Sequence, residues 1–309
     1  MGKRIDSPRV SVVIPTYNRA NELRRCLDSL KQQTIHDFEV LICDDGSTDE
    51  TEVVATAYSP YLDITYDYAG NFGGPARPRN RGIQLARAPY VAFLDSDDWW
   101  TESKLERSLD RLDAGADVVF HDLWNIRDID PDAPRTLIRA DQPASPIHET
   151  LLCSSTVIPH SSVVVRTKLI RAIGGICEDK ELIAVEDFDA LIRLSRVTEK
   201  FERIPGCFGF CWRGGGNISE ASPEQISRIR AVYARHISSL SDSGRKRAEA
   251  LLAYRVGRIA QLHGDWSIAV QNLMSAIRGR LNAKYKMKAL WLLSFCRLWQ
   301  RLHSASFFR

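Results

Sequence analysis

No two of the seven cysteines are spaced C-x-x-C, and their number is odd, so neither a disulfide framework nor a thiolate zinc site is indicated. Cys26, Cys43, Cys153, Cys177, Cys207, Cys211 and Cys296 are expected as reduced thiols. No apolar run reaches the roughly 18 residues of a spanning helix. The opening MGKRIDSPRVSVVIP joins two early basic residues to a short apolar run with no small-residue cleavage site, so no secretory signal is expected. No glycine-rich triphosphate loop with a lysine follows the first strand-like segment, which disfavours a nucleotidyltransferase. Acid is missing from residues 266–309, which carry eight Lys or Arg and no Asp or Glu. The 42 basic residues less these eight leave 34 against 39 acidic ones. The net charge of +3 therefore belongs to the C-terminal tail, and the rest of the chain is not expected to bind nucleic acid.

What remains is a chain of 309 residues, 44% hydrophobic, long enough for one large core or two smaller ones. Residues 10–120 alternate strand-like and helix-like segments, the pattern of an α/β protein with a mostly parallel sheet covered by helices. The strands read as RVSVVIP, FEVLIC, ITYDY, YVAFLD and ADVVFH. Leu23, Cys26, Leu27 and Leu30 fall at i, i+3, i+4 and i+7, predicting an amphipathic helix over residues 21–33. A second helix is predicted over residues 51–58, after the capping-rich turn DDGSTDE. Pro131, Pro134, Pro143, Pro146 and Pro159 interrupt the next hundred residues, after which SSVVVRTKLI reads as a strand entering a helix and VEDFDALIRL as an amphipathic helix. From Pro223 onward the pattern is helical, with a break at SLSDSGRK. The expected division is a catalytic part, 1–220, and a helical region, 221–309. Within the former, donor binding is expected over about 8–120 and acceptor binding over about 121–220.

Ligands of open parallel sheets bind beyond the carboxyl ends of the strands. Three of these ends carry unusual polar residues: PTYNR, DDGS and DSDD. Carboxylates crowded as in Asp95, Asp97 and Asp98 raise one another's pKa unless a cation joins them, and an all-oxygen set suits Mg2+ or Mn2+. The residues alone equally allow one aspartate to cap the helix starting near Thr101 while the others are solvated. Asp45 can accept a hydrogen bond from a base N–H, with Gly46 permitting a tight turn, and Tyr17 can stack on a nucleobase. By themselves these two stretches also fit an ordinary turn and a rim tyrosine.

VSVVIPTYNR, VLICDDGSTDET, GGPARPRNRGI and YVAFLDSDD, in this order and approximate spacing, resemble the family 2 nucleotide-sugar glycosyltransferases of the GT-A fold, over about residues 8–220. The resemblance implies a Rossmann-like sheet with helices on both faces, a nucleotide-sugar donor, UDP-linked, bound in the first half, and a glycan or lipid-linked acceptor bound by the second. By position, Pro15 and Tyr17 resemble the residues flanking the uracil, and Asp45 the aspartate that hydrogen-bonds it. Asp95 and Asp97 match the D-x-D motif, the first near the ribose and the last on the metal, with Asp98 beside them as an alternative ligand. Arg77, Arg79 and Asn80 lie in the stretch that closes over the donor. The ED pair of VEDFD makes Asp187 the expected general base and Glu186 its structural neighbour on the acceptor side. His160 and Trp99 are further acceptor-side expectations, Trp99 with Trp100 at the donor–acceptor boundary. One departure stands out: relatives carry a histidine in a segment like YRRHGGNVS, where this chain reads CWRGGGNIS with Gly214 in its place. Arg213, water or the glycine amides would then substitute. That weakness leaves room for a rival reading, a nucleotide-binding scaffold without turnover.

The helical region contains ALLAYRVGRIAQLHGDWSIAVQNLMSAI, two amphipathic helices around a Gly-Asp turn that resemble a single tetratricopeptide-type hairpin and are expected instead to be a pair packed on the catalytic part, and then KYKMKALWLLSFCRLWQRLHSASFFR. Trp291, Phe295, Trp299 and leucines mixed with Lys284, Lys286, Lys288, Arg297 and Arg301 suit an interfacial helix on an anionic membrane. The competing expectation is docking on a protein partner or a second copy of the chain. The resulting picture is a cytoplasmic enzyme at the inner face of the cell membrane.

Overall fold

The computed structural model describes residues 4–130, 133–154, 156–214 and 222–304. The first half runs β1 (Val10–Thr16), α1 (Ala20–Lys31), β2 (Phe38–Asp44), α2 (Thr51–Ala57), β3 (Asp63–Tyr68), α3 (Ala76–Leu85), β4 (Tyr90–Phe93), β5 (Trp99–Trp100), α4 (Lys104–Asp113), β6 (Val118–Ile126), β7 (Thr136–Ile138) and α5 (Ile147–Cys153). There follow β8 (Val164–Arg166), α6 (Thr167–Ala172), α7 (Glu186–Leu194), β9 (Phe201–Trp212), α8 (Pro223–His236), α9 (Asp242–His263), α10 (Trp266–Arg278) and α11 (Ala283–Ser304).

Two compact units form. The first, Met1–Pro143 with Thr156–Glu178 and Arg193–Asn217, holds the whole nine-stranded sheet, in the order β3-β2-β1-β4-β8-β6-β9-β5 with β7 on β6. β1 to β4 pair in parallel, as do β6 and β9, while β5, β7 and β8 run against their neighbours. Both faces of β1 are buried, which is why its sequence is a continuous apolar run rather than an alternation. Val10, Val12 and Ile14 join the core formed with Leu23, Leu27 and Leu30 of α1, Val54 of α2 and Leu105 of α4. Val13 points to the other face, where Gly82 of α3 lies so close that a Cβ there would sit 2.5 Å from a Val13 methyl. This packing leaves the carboxyl ends of β1, β2 and β4 free to carry polar loops.

β9 was not expected from sequence. Pro205, Gly206 and Gly209 break its apolar pattern, and the strand absorbs them with register shifts against β6 and a Gly206 φ of +120°. It pairs with β5, and so gives the two tryptophans after the carboxylates a place in the sheet.

The second unit comprises Ala144–Ser155, Asp179–Ile192 and Ile218–Arg309, so two short segments from within 121–220 group with the C-terminal helices. In it the Tyr233 hydroxyl donates to the Leu152 carbonyl (3.0 Å), and the Cys153 thiol to that of Gly244 (3.2 Å). A buried pair, His236 Nε2 with Asp189 Oδ1 at 2.8 Å, ties α8 to α7. The break in SLSDSGRK is the start of α9, where Ser241 caps the Gly244 amide. The hairpin turn is Gly264, at φ +86°, followed by Asp265, which caps Ile268. Gly257 lets α9 approach Leu273 of α10.

Candidate active site

The site is assembled at the carboxyl ends of β1, β2 and β4, all in the first unit. Pro15 is buried within β1 opposite Cys43, and Tyr17, just past the strand, is exposed. Asp44 ends β2 and accepts from the Ser47 amide and the Tyr66 hydroxyl, which fixes the turn. Asp45 is buried, and its two oxygens accept the backbone N–H groups of Phe72 (2.9 Å) and Gly73 (3.0 Å). Each oxygen keeps a second lone pair for another donor. Gly46, at φ +90°, brings this turn against the same loop: a Cβ there would be 2.8 Å from the Asn71 nitrogen.

After β4 the chain turns sharply, the Asp98 amide donating to the Asp95 carbonyl (3.0 Å). Arg79 on α3, only 4% exposed, places Nη2 2.7 Å from Asp95 Oδ1. Burial would raise the Asp95 pKa, but Arg79 above all, with Arg213, holds it below the ordinary carboxylate range. Asp97, without such a partner, is pushed up to about 6 by burial and by the charge of Asp95. Asp98 points inward: Oδ1 accepts the Trp212 amide (2.8 Å), and the Ser161 hydroxyl also donates to the carboxylate. Burial and the neighbouring Asp97 and Asp95 push its pKa well up. The turn thus divides its carboxylates. Asp95 and Asp97 stand partly open, and Asp98 serves as an internal brace.

Four residues that sequence reasoning missed, Ser161, Arg25, Trp212 and Phe210, complete the frame. Ser161 accepts from the Asp95 amide (3.2 Å), donates to Asp98, and offers its carbonyl to Trp100 Nε1 (2.7 Å). Arg25 on α1 lies over Trp99 (4.1 Å) and over Trp212 (4.7 Å), and donates to the Asp97 carbonyl (2.8 Å). Trp99 itself stacks on Phe210 of β9 at 5.0 Å. Contacts between positions so far apart in the chain leave no local pattern to read. His160 stacks on Phe93 at 4.6 Å, with both ring nitrogens out of solvent and unbonded. Burial, then the Arg79 charge, lower its pKa to about 3, so the ring is neutral beside Asp95.

Within the first unit, Arg77 and Asn80 are held outside this cluster. Asn80 is bonded to both backbone groups of Ile176 and to Glu178, and Arg77 pairs with Glu178, so these two anchor the 176–178 segment. Glu186 and Asp187 open α7 in the helical unit, Glu186 buried and Asp187 half-buried with Oδ1 accepting the Phe188 amide (2.7 Å). Gly214 lies just past β9; the glycines and amides after it, 215–221, fall outside the described residues.

Among the described residues no group of three or more His, Cys, Asp or Glu is arranged to hold a metal. Two outward carboxylates, one with a raised pKa that a cation would relieve, nevertheless fit an ion that takes its other ligands from water and substrate phosphates.

The fold is shared with solved structures. One of Staphylococcus aureus TarS residues 1–349, in complex with UDP-GlcNAc, superimposes with a TM-score of 0.67 at 19% identity, covering 87% of this chain and 81% of that one. The mannosyltransferase PcManGT of Pyrobaculum calidifontis, in complex with GDP-Man and Mn2+, gives 0.59 at 18% identity over 98% and 88%. The expected GT-A architecture is therefore the observed one. In sequence, the amylovoran biosynthesis glycosyltransferase AmsB of Erwinia amylovora is 32% identical over 203 residues, 63% of this chain and 66% of that protein. The chain spans less than two thirds of the length of such relatives, 62% in another case. The family model for glycosyl transferase family 2 matches residues 11–174, more than half of the chain. Motif order, sheet topology and family model agree, and the chain belongs to glycosyl transferase family 2.

Proposed function

We propose that the protein is an inverting, metal-dependent glycosyltransferase that moves a sugar from a UDP-sugar to a hydroxyl of a glycan or lipid-linked acceptor in surface polysaccharide synthesis, working in the cytoplasm. The observation that carries this is the carboxylate turn at the end of β4, with Asp95 clamped by Arg79 and Asp97 left open beside it. The UDP-GlcNAc complex of TarS and the biosynthetic role in the name of AmsB support the donor and acceptor classes.

In this reading Tyr17 and Pro15 flank the base, and Asp45 accepts its N–H while keeping its grip on the 72–73 loop. Asp95, oriented by Arg79, takes the ribose end of the donor. Asp97, with Asp95 beside it, would hold Mn2+ or Mg2+, and Asp98 would brace the turn from within. When bound, the ion offsets charge on the departing diphosphate. The acceptor hydroxyl attacks the anomeric carbon from the opposite face while Asp187 takes its proton, which inverts the configuration. Glu186, Trp99 and His160 are assigned to supporting positions, not to proton transfer.

The test is Asp187→Asn. Transfer should fall by about a hundredfold or more while UDP binding, read by calorimetry, stays. Full activity in that variant would sink the assignment of the base.

A further inference from the structure

α11 has two apolar faces, and only one is used. Ala289, Leu292, Leu293 and Cys296 are buried within the helical unit, where Trp266 of α10 stacks on Trp299 at 5.3 Å. On the other side Met287, Trp291, Leu298 and Leu302 recur at i, i+4, i+11 and i+15, forming one continuous stripe whose edge is Phe295, held against Trp266 at 6.2 Å. Met287 is 72% exposed, Trp291 69%, Leu298 58% and Leu302 61%, an apolar strip far beyond scattered surface leucines. At 3.6 residues per turn, Lys286 and Arg297 border this stripe on one side and Lys288 on the other, all exposed. Lys284 lies at the start of the same helix.

We infer that this face of α11 is a docking surface for an anionic lipid membrane, on which the helix lies flat with Trp291 and Phe295 in the headgroup region. Charge decides between occupants. A second copy of the same face would bring its own lysines and arginines against these, and residues 266–309 offer no Asp or Glu to pair with them. An anionic bilayer complements both the cations and the stripe. No helix among the described residues is long and apolar enough to cross a membrane, which leaves lying on the surface as the mode. The inference is independent of the glycosyl-transfer reading, because nucleotide-sugar turnover in solution reports on that separately.

Sedimentation of the full chain with phosphatidylcholine vesicles, and with vesicles in which part of the lipid is phosphatidylglycerol, tests it. The chain should bind the anionic vesicles, bind the neutral ones about tenfold more weakly, and be released by salt. The double variant Trp291→Glu, Leu298→Glu should lose about tenfold or more in binding with an unchanged melting temperature, since both side chains are exposed. Lys286→Gln and Lys288→Gln should each weaken binding about fivefold. Absence of binding to anionic vesicles, equal binding to neutral ones, or binding untouched by the double variant would overturn the proposal. So would a dimer in light scattering that Trp291→Glu disperses while no vesicle binding is seen.

Discussion

At the scale of single residues, Ser161 holds the site in shape. One hydroxyl accepts the Asp95 amide and donates to Asp98, and the carbonyl of the same residue holds the Trp100 ring. Ser161→Ala would leave a buried carboxylate short of a donor, a loss of about 1–3 kcal/mol, and thermal or urea unfolding should show it. The aspartates themselves were legible because they are contiguous and follow a strand; Ser161 was not, because it reaches Asp95 from 66 positions away. A second residue sets an acid limit. His121 is fully buried on β6, and its pKa is lowered to about 3 by burial and then by the charge of Lys104. The unfolded chain takes a proton on this ring near pH 6.5, whereas the folded chain refuses it until about pH 3. His121 therefore costs stability progressively as pH falls from 6.5 to 3, with no further change below. Urea midpoints measured across that window should fall less steeply in His121→Leu than in the parent, and parallel curves would contradict the burial.

At the scale of elements, each strand end is a compact polar construction that depends on close backbone approach. Gly46→Ala would drive a Cβ against the Asn71 nitrogen and strain a residue at φ +90°, displacing the 69–75 loop that Asp45 holds. UDP affinity should drop about tenfold or more in calorimetry, and the strain of about 1–3 kcal/mol should lower the melting temperature by a few degrees. At the other end of β2, Arg87 donates to Glu39 (2.7 Å) and to Asp63 (2.7 Å), and Glu39 is fully buried. Arg87→Ala would take away the charged partner of that carboxylate, leaving it only the Ser11 hydroxyl and one amide, and chemical denaturation should record a loss of about 3–5 kcal/mol with the turn after β4 unaffected. The apolar runs of β1, β2 and β4 and the leucine spacing of α1 read directly from sequence, because a doubly covered strand and an amphipathic helix leave strong periodicities. β9 did not: its bulge is built from the proline and glycines that normally end a strand, and only the pairing with β6 reveals it.

At the scale of the whole molecule, chain order and spatial grouping differ. Residues 144–155 and 179–192 group with the C-terminal helices, so the expected base, Asp187, is carried by the helical unit, braced through Asp189 by the buried His236. A sequence reading follows the chain, and long-range helix packing of this kind leaves no local pattern to follow. Hence the cut near residue 221 was the natural expectation from composition. The motifs from SVVIPTYNR to DSDD, by contrast, were legible in the chain and fall within residues 11–174, which the family model matches, whereas VEDFD lies beyond them.

An ion held by Asp97 at the turn after β4 would make sugar-donor turnover depend on a divalent cation. This dependence is tested most directly by following UDP release from a panel of UDP-sugars as Mn2+ is titrated into EDTA-treated protein, for the parent chain and for Asp97→Asn. Release should rise with Mn2+ for one of these sugars and fall about a hundredfold or more in Asp97→Asn. Turnover that is equal in EDTA and in Mn2+, or that survives the substitution intact, would contradict it.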